Sequence, residues 1–133
     1  MSQENLDFVR AVYASLNRGD ERVWESIPEG FILDSSRRLI DTGVVRGRDK
    51  VRADWESLRE AFDETFRLEP EELIDADDKV VAFIRVSGTG RASRARVETS
   101  VAHVWAFHGG RAAAVEYFGD DRAGALEAAG LSE

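Results

Sequence analysis

The sequence predicts a single α+β domain in which helices pack on one face of a twisted antiparallel sheet. Helical patterns fill most of the first half of the chain, and strand patterns follow from Arg67 onward. Helices that are segregated along a chain from adjacent strands are typical of α+β folds. The 133 residues suit one core, and no linker or internal repeat divides them. We therefore expect residues 1–133 to form one unit.

The composition argues against several classes of function. The formal net charge is −8, and binding to nucleic acid or to an anionic membrane needs a concentrated basic surface instead. The chain has no cysteine, which excludes disulfides and thiolate chemistry. It shows neither a run of about 18 apolar residues nor a basic, apolar leader. We expect a cytoplasmic protein that does not enter a membrane.

Three helices are predicted, two before the strand 31–35 and one between that strand and the antiparallel meander. Residues 4–17 repeat apolar side chains at three- and four-residue spacing, and Gly19-Asp20 predicts the end of this helix and the N-cap of a short helix over 20–26. The clearest helix is predicted over 50–65, with Asp49 as its N-cap. Its apolar stripe consists of Val51, Trp55, Leu58 and Phe62.

The strand predictions rest on β-branched and aromatic runs between turn residues. Residues 39–45 are predicted as a short strand or an ordered loop, Gly88-Thr89-Gly90 as an interruption, and Gly109-Gly110 as a hairpin turn. Asp120 or Asp121 is expected to cap a closing helix that ends near Ala129. The predicted strands are 31–35, 72–75, 79–87, 97–107 and 111–118.

Strand parity groups the side chains of the strand 97–107. Val101, His103, Trp105 and Phe107 share one face. Aromatic side chains around one titratable group suit a pocket for a small apolar ligand. The other face is small and favours a close contact between two sheets, as in a homodimer. It carries Ser100, Ala102, Val104 and Ala106.

Five segments carry a resemblance to a known family. They are VYASLNRGD at 12–20, RGRD at 46–49, VSGTG at 86–90, HVWAF at 103–107 and EYFGD at 116–120. With these, nearly the whole chain resembles the SnoaL-like polyketide cyclase group of the nuclear transport factor 2-like superfamily, which includes ketosteroid isomerase and limonene-epoxide hydrolase. The resemblance implies a cone-shaped, strongly curved antiparallel sheet that wraps the N-terminal helices and one long helix, a cystatin-like roll. It also implies a pocket inside the cone and a homodimer formed through the outer face of the sheet.

The resemblance implies three candidate catalytic residues. Asp34 aligns with the base of ketosteroid isomerase, and His103 aligns with the acid of that enzyme that donates to the developing oxyanion. Glu116 falls where limonene-epoxide hydrolase has an acidic residue in its cavity. A carboxylate in an apolar cavity has a raised pKa that suits proton transfer near neutral pH. The alternatives are a turn aspartate, a core histidine and a surface glutamate.

Seven further residues are predicted to bind a substrate, with core packing as the alternative for the two on helices. Trp55 matches the place of a pocket tyrosine in ketosteroid isomerase. Tyr13 is offset by one residue from the oxyanion-hole tyrosine of that enzyme, so this role is not transferred. Limonene-epoxide hydrolase needs an Asp-Arg-Asp set, and no aspartate follows Arg85 two residues later. The seven are Tyr13, Trp55, Arg85, Val101, Trp105, Phe107 and Phe118.

These patterns together predict a cofactor-independent, cyclase- or isomerase-like enzyme that moves a proton on a small, largely apolar carbonyl compound. Asp34 or Glu116 would be the base and His103 the acid or oxyanion donor, which requires His103 and Glu116 to share a face of the sheet. A noncatalytic binding or interaction module and a structural homodimer with a filled pocket are the alternatives. No metal is expected, because His103 and His108 lie on opposite sides of a strand.

Overall fold

The chain folds as three α-helices, one 3-10 helix and six strands in the computed structural model, which describes residues 3–37 and 43–131. Two helical segments precede the first strands and four long strands follow the helix Arg48–Glu60, so the α+β prediction is confirmed. The elements are α1 (Gln3–Arg18), the 3-10 helix (Glu21–Ser26), β1 (Ile32–Asp34), β2 (Val44–Arg46), α2 (Arg48–Glu60), β3 (Arg67–Ala76), β4 (Lys79–Thr89), β5 (Arg96–His108), β6 (Arg111–Gly119) and α3 (Arg122–Ala128).

All six strands form one sheet with the order β2-β1-β6-β5-β4-β3. The strands β3 to β6 form the predicted antiparallel meander. The prediction of a wholly antiparallel sheet is wrong at one place, because β1 pairs with β6 in parallel. β1 comes from a long way back in the chain and enters the sheet beside the last strand, where it has β2 as its antiparallel neighbour on the other side.

The sheet buries a different apolar cluster on each face. The inner face packs under α1, the 3-10 helix and the start of α2, with Val9, Val51 and Trp105 among the buried members. The outer face packs under α3, where Phe83 and Ala125 belong to a smaller cluster. Alternate residues of the long strands therefore belong to different cores, as the period of two in a strand requires.

Asn17 fastens α1 to the edge strand β3. Its side-chain amide donates to the carbonyl oxygen of Leu68 at 2.8 Å, and its Oδ1 accepts from the Leu68 N–H at 2.9 Å. The following Asp20 caps the 3-10 helix through its side chain, as predicted. The Leu-Asn-x-Gly-Asp sequence at the end of α1 therefore has a structural explanation, because it sets the position of α1 above the sheet.

α2 begins and ends earlier than its sequence pattern predicts. Its N-cap is Gly47, not Asp49. The N–H groups of Gly47 and Arg48 donate to the carbonyl oxygens of Phe31 and Glu29, between the 3-10 helix and β1, at 2.8 and 2.9 Å. Gly47 has φ 99°, a conformation that favours glycine. At the other end, Phe62 lies beyond the helix and forms an isolated bridge with Gly90.

Gly88 does not interrupt β4, contrary to the prediction. A Cβ atom there would lie 3.0 Å from both the Cα and the ring of Phe66, so the glycine permits a close approach between the strand and this ring. β2 covers the end of the segment 39–45 that was predicted as strand or loop, and residues 39–42 of this segment lie outside the described residues. Within the described part of the chain, no helix is long and apolar enough to cross a membrane.

Candidate functional site

A cavity of about 350 Å³ lies between the inner face of the sheet and the helices. Small-molecule sites span about 300–1,000 Å³, so the volume suits a compact ligand. Most of the wall is apolar: Val12, Leu16, Val23, Trp24, Ile27, Phe31, Leu33, Val51, Trp55, Leu58, Phe62, Phe66, Leu68, Val86, Val101, Trp105 and Val115. The wall residues with a titratable or hydroxyl group are Tyr13, Asp54, Thr99, His103 and Tyr117.

Tyr13 joins the helical side of the cavity to the sheet. It follows Val9 and Val12 on the buried stripe of α1, and it is only 1% exposed. Its hydroxyl lies 2.6 Å from Nδ1 of His103 and accepts a hydrogen bond from Nε1 of Trp105 at 2.9 Å. Burial raises the pKa of the Tyr13 hydroxyl well above its ordinary value of 10, although the hydrogen bond with Trp105 opposes the shift. The hydroxyl therefore keeps its proton at neutral pH.

His103 is held between two tyrosine rings at the wall of the cavity. Its ring stacks against Tyr13 with a centroid distance of 5.9 Å and an interplanar angle of 19°. Tyr117, its partner across the strand pair β5–β6, lies at the same centroid distance with the ring tilted by 50°. The prediction that His103, Val101 and Trp105 share the cavity face agrees with the structure, and Tyr13 and Trp55 reach the same cavity from the helices.

Asp54 lines the cavity, and this residue is not among those predicted from the sequence. Among the described residues it is the only acidic residue in the cavity wall. It lies three residues after Val51 and four before Leu58, so α2 places it on its apolar stripe. The signal that would have found it is this position of a carboxylate within the stripe, because Asp is depleted on buried helix faces.

The structure does not bring Glu116 or Asp34 into the cavity, so their predicted placement is wrong. Glu116 pairs with Val104 on the outer face, whereas His103 pairs with Tyr117 on the inner face. The cause is a bulge in β6 between the Ala106–Ala114 and Phe107–Ala112 pairs. One extra residue moves every following side chain of a strand to the opposite face relative to its partner.

Asp34 shares the outer face with Glu116, because the parallel register places the two opposite each other. Its carboxylate accepts from the Ser36 hydroxyl at 2.6 Å and from the Ser36 N–H at 3.0 Å, as in the turn-aspartate alternative. Glu116 is ion-paired with Arg37 at 3.8 Å. The requirement that His103 and Glu116 share a face is therefore not met, and the predicted pairing of these two residues is excluded.

Three of the predicted substrate-binding residues also lie outside the cavity wall. Arg85 is on the outer face, where it is ion-paired with Glu98. Phe118 belongs to the outer cluster, under the guanidinium of Arg37 at 4.3 Å. Phe107 lies on the inner face as predicted, but it packs edge-to-face against Phe8 at 5.9 Å and does not line the cavity.

The cavity offers donors and one carboxylate but no clustered metal ligands. Within residues 3–37 and 43–131, no three histidine, aspartate or glutamate side chains come together in an arrangement that could hold a metal ion. What the wall does offer is an imidazole, two phenols, a hydroxyl and a carboxylate around an apolar space. These are the groups that acid–base chemistry uses.

The fold and the cavity define a class of small α+β proteins in which helices cover one face of a sheet and enclose a ligand-sized space. The SnoaL-like domain family matches residues 9–115, and the chain belongs to this family. No curated protein matches the chain.

Solved structures share this fold over most of the chain. A protein described as a SnoaL-like polyketide cyclase, from Jannaschia sp. CCS1, is 20% identical with a TM-score of 0.78 and covers 89% of this chain and 86% of its own. TerC, co-crystallised with polyporic acid, is 19% identical with a TM-score of 0.73 over 88% and 92%. A protein of cystatin-like fold from Xanthomonas campestris is 17% identical with a TM-score of 0.75 over 96% and 98%. These likenesses show the fold, including its cystatin-like character.

Proposed function

We propose that the protein is a cofactor-independent enzyme that moves a proton on a small, largely apolar carbonyl compound bound in the cavity. The observation that carries the proposal is the 2.6 Å contact between the Tyr13 hydroxyl and Nδ1 of His103 at an apolar cavity wall. A pair of polar side chains at the wall of an apolar cavity is a suitable place for a reacting group to be bound and polarised. The SnoaL-like family and the polyporic acid complex of TerC support a small organic ligand.

Asp54 and His103 have complementary roles in this proposal. The Asp54 carboxylate takes the proton from the carbon next to the carbonyl group. The C–H electron pair forms a C=C bond, the carbonyl π pair moves to oxygen, and a His103 N–H donates a hydrogen bond to that oxygen. Asp54, which is only half-buried, then exchanges its proton with solvent and returns a proton to carbon. In a cyclisation, the enolate carbon instead forms a C–C bond with a second carbonyl carbon of the same molecule. The π pair of that carbonyl group moves to its oxygen, and this oxygen takes the proton from Asp54.

The apolar wall strengthens the interaction between the His103 donor and the enolate. Rings such as Trp24, Trp55 and Phe66 exclude water from the space in which the enolate charge develops. Electrostatic interactions between the donor and this charge are stronger there than in water.

The experiment is hydrogen–deuterium exchange at the carbon acid of a phenyl-substituted 1,3-diketone in D₂O, followed by proton NMR. We expect the wild-type protein to accelerate exchange over buffer. Asp54→Asn and His103→Ala should each lower the protein-dependent rate by roughly 100-fold, the usual size of one acid–base or oxyanion group. Two matched controls, Asp49→Asn on the exposed side of α2 and His108→Gln beside the hairpin turn, should keep the wild-type rate.

Exchange at the buffer rate in the presence of the wild-type protein would contradict an enzyme of this type. A noncatalytic binding module is the second candidate, and it is favoured by the small number of polar groups in a wall that is otherwise apolar. In that case the diketone would raise the thermal midpoint of the wild-type protein without accelerated exchange. Stabilisation that survives Asp54→Asn and His103→Ala would support the module.

A further inference from the structure

We propose that Tyr13 and Trp105 are positioning residues that fix His103 as the tautomer with its proton on Nε2. His103 would then meet its ligand as a hydrogen-bond donor, and the ligand would be one with an acceptor oxygen, such as a neutral carbonyl group. The use of this donor on a substrate rests on the proposed function. The tautomer itself is a property of the protein without any ligand.

The direction of the hydrogen bonds follows from what each group can do. The indole N–H of Trp105 is a donor only, so the Tyr13 oxygen must accept at the 2.9 Å contact. The single proton of the Tyr13 hydroxyl can then be donated across the 2.6 Å contact to Nδ1 of His103. A nitrogen that accepts a hydrogen bond carries no proton, and in a neutral imidazole the proton is then on Nε2.

The reverse direction leaves a buried donor without a partner. If Nδ1 of His103 carried the proton, the Tyr13 oxygen would accept from both neighbours and its own O–H would need a third partner. Tyr13 is 1% exposed, and the two contacts above are the hydrogen bonds that the described residues provide to its hydroxyl. Buried polar groups are almost always paired, which favours the first direction.

Packing fixes the position of the Trp105 indole N–H, which is the first donor in this chain of hydrogen bonds. Trp105 is 4% exposed and its ring contacts Phe8 edge-on at 6.3 Å and Phe31 at 5.8 Å. It also meets Tyr13 edge-on, with an interplanar angle of 86°. A ring that is packed on several sides has no space in which to turn its N–H away from the Tyr13 oxygen.

Imidazole ¹⁵N NMR of the protein labelled with ¹⁵N-histidine tests the tautomer directly. The chain has two histidines, so His108→Gln assigns the spectrum. At a pH where both rings are neutral, we expect one protonated and one unprotonated nitrogen for His103, with Nδ1 unprotonated, and an average of both tautomers for His108. A wild-type His103 that carries its proton on Nδ1 would overturn the proposal, without the need for any variant.

Two variants test the positioning residues. In Tyr13→Phe the His103 signals should move toward the averaged values of His108, and the indole N–H resonance of Trp105 should shift because its acceptor is lost. In Trp105→Phe the protonated population at Nδ1 should rise, and an Nδ1 signal unchanged in both variants would overturn the assigned roles. Since these spectra are recorded without a ligand, their outcome is separate from that of the deuterium-exchange experiment.

If the proposed function holds, the positioning role has a kinetic signature. Trp105→Phe should lower the maximal exchange rate by roughly tenfold, on the scale of lost supporting hydrogen bonds, and should change the KM for the diketone much less. A rise in KM at an unchanged maximal rate would mean that Trp105 only binds the ligand, and would overturn its role in positioning His103.

Discussion

Tyr13 serves the core and the cavity with different parts of one side chain. Its ring fills the stripe of α1 above the sheet, and its hydroxyl is the acceptor for the buried N–H of Trp105. The residue was selected from the sequence as a wall residue only, because its helical spacing is equally typical of core packing. Helical periodicity gives the buried face of α1, but it carries no information on hydrogen bonds to residues about 90 positions away.

Tyr13→Phe should lower the free energy of unfolding by about 1–3 kcal/mol, the cost of a buried donor left without a partner. The ring is kept, so little packing is lost. Urea denaturation monitored by circular dichroism would measure the change. In the double variant with Trp105→Phe the two losses should be less than additive, because neither group is then left unpaired. Full additivity would mean that the two residues act independently.

Asp34 gives the protein a defined dependence on pH. Hydrogen bonds from Ser36, first from its side chain and then from its backbone, hold the pKa of the Asp34 carboxyl below its ordinary value of 3.8, with a smaller contribution from Arg37. A carboxyl whose folded pKa is lowered contributes stability above its unfolded pKa and loses that contribution as the pH falls through the folded pKa.

Asp34→Asn should therefore lower the thermal midpoint at pH 6 and have less effect as the pH falls below 3.8. The asparagine keeps an acceptor oxygen but cannot titrate. Differential scanning calorimetry between pH 6 and pH 2.5 would follow the difference between the two proteins. A difference that stays constant over this range would show that the charge of Asp34 contributes nothing to folding.

At the scale of elements, β4, β5, β6 and α1 were predictable because their patterns are local, whereas only residues 72–75 of the ten in β3 were predicted. The bulge in β6 was not predictable from the sequence, and it places Glu116 on the outer face of the sheet. A regular hairpin around Gly109-Gly110 begins by pairing His108 with Arg111, and continued without the bulge it would place Glu116 opposite His103. The bulge adds one residue and moves Tyr117 to that place instead. No residue type in the Ala112–Ala114 run signals it.

Gly88 links β4 to the cavity wall and offers a test of close packing. Gly88→Ala should destabilise the protein by about 1–3 kcal/mol, the usual cost of overpacking, because the added Cβ would lie 3.0 Å from Phe66 and 3.3 Å from the ring of Phe62. Both rings line the cavity. Urea denaturation gives the change, and Gly30→Ala, at a position with open space around it, is the control. Equal effects at the two glycines would contradict this account.

At the scale of the molecule, α3 covers part of the sheet face that the sequence suggested for a dimer. Ala102 and Val104, two of the small residues of that face, are buried in the outer cluster with Ala125 of α3. The side chain of Arg122, also on α3, covers Phe83 of the same face, with its guanidinium 3.6 Å from the centre of the Phe83 ring. A homodimer stays a prediction, and its contact would have to use the part of the outer face that α3 leaves uncovered.

Ala125→Arg should release α3 from the sheet, because Ala125 is fully buried and a charged side chain there has no partner. The exposed outer cluster would then promote self-association. Sedimentation velocity over a range of concentrations should show larger species than for the wild-type protein. Ala123→Arg, at an exposed position of the same helix, is the matched control. Unchanged sedimentation of the Ala125 variant would show that α3 is not needed to shield this face.

The parallel pairing of β1 with β6 has a consequence for the order in which the molecule is made. β1 ends at Asp34 and β6 begins at Arg111. The ribosome must therefore synthesise nearly the whole chain before β1 can pair with β6. Contacts between such distant residues form late and slow down folding. Tyr13 and His103, which contact each other, are even further apart along the chain. During synthesis, the wall that β5 and β6 give to the cavity is therefore among the last parts of the protein to form.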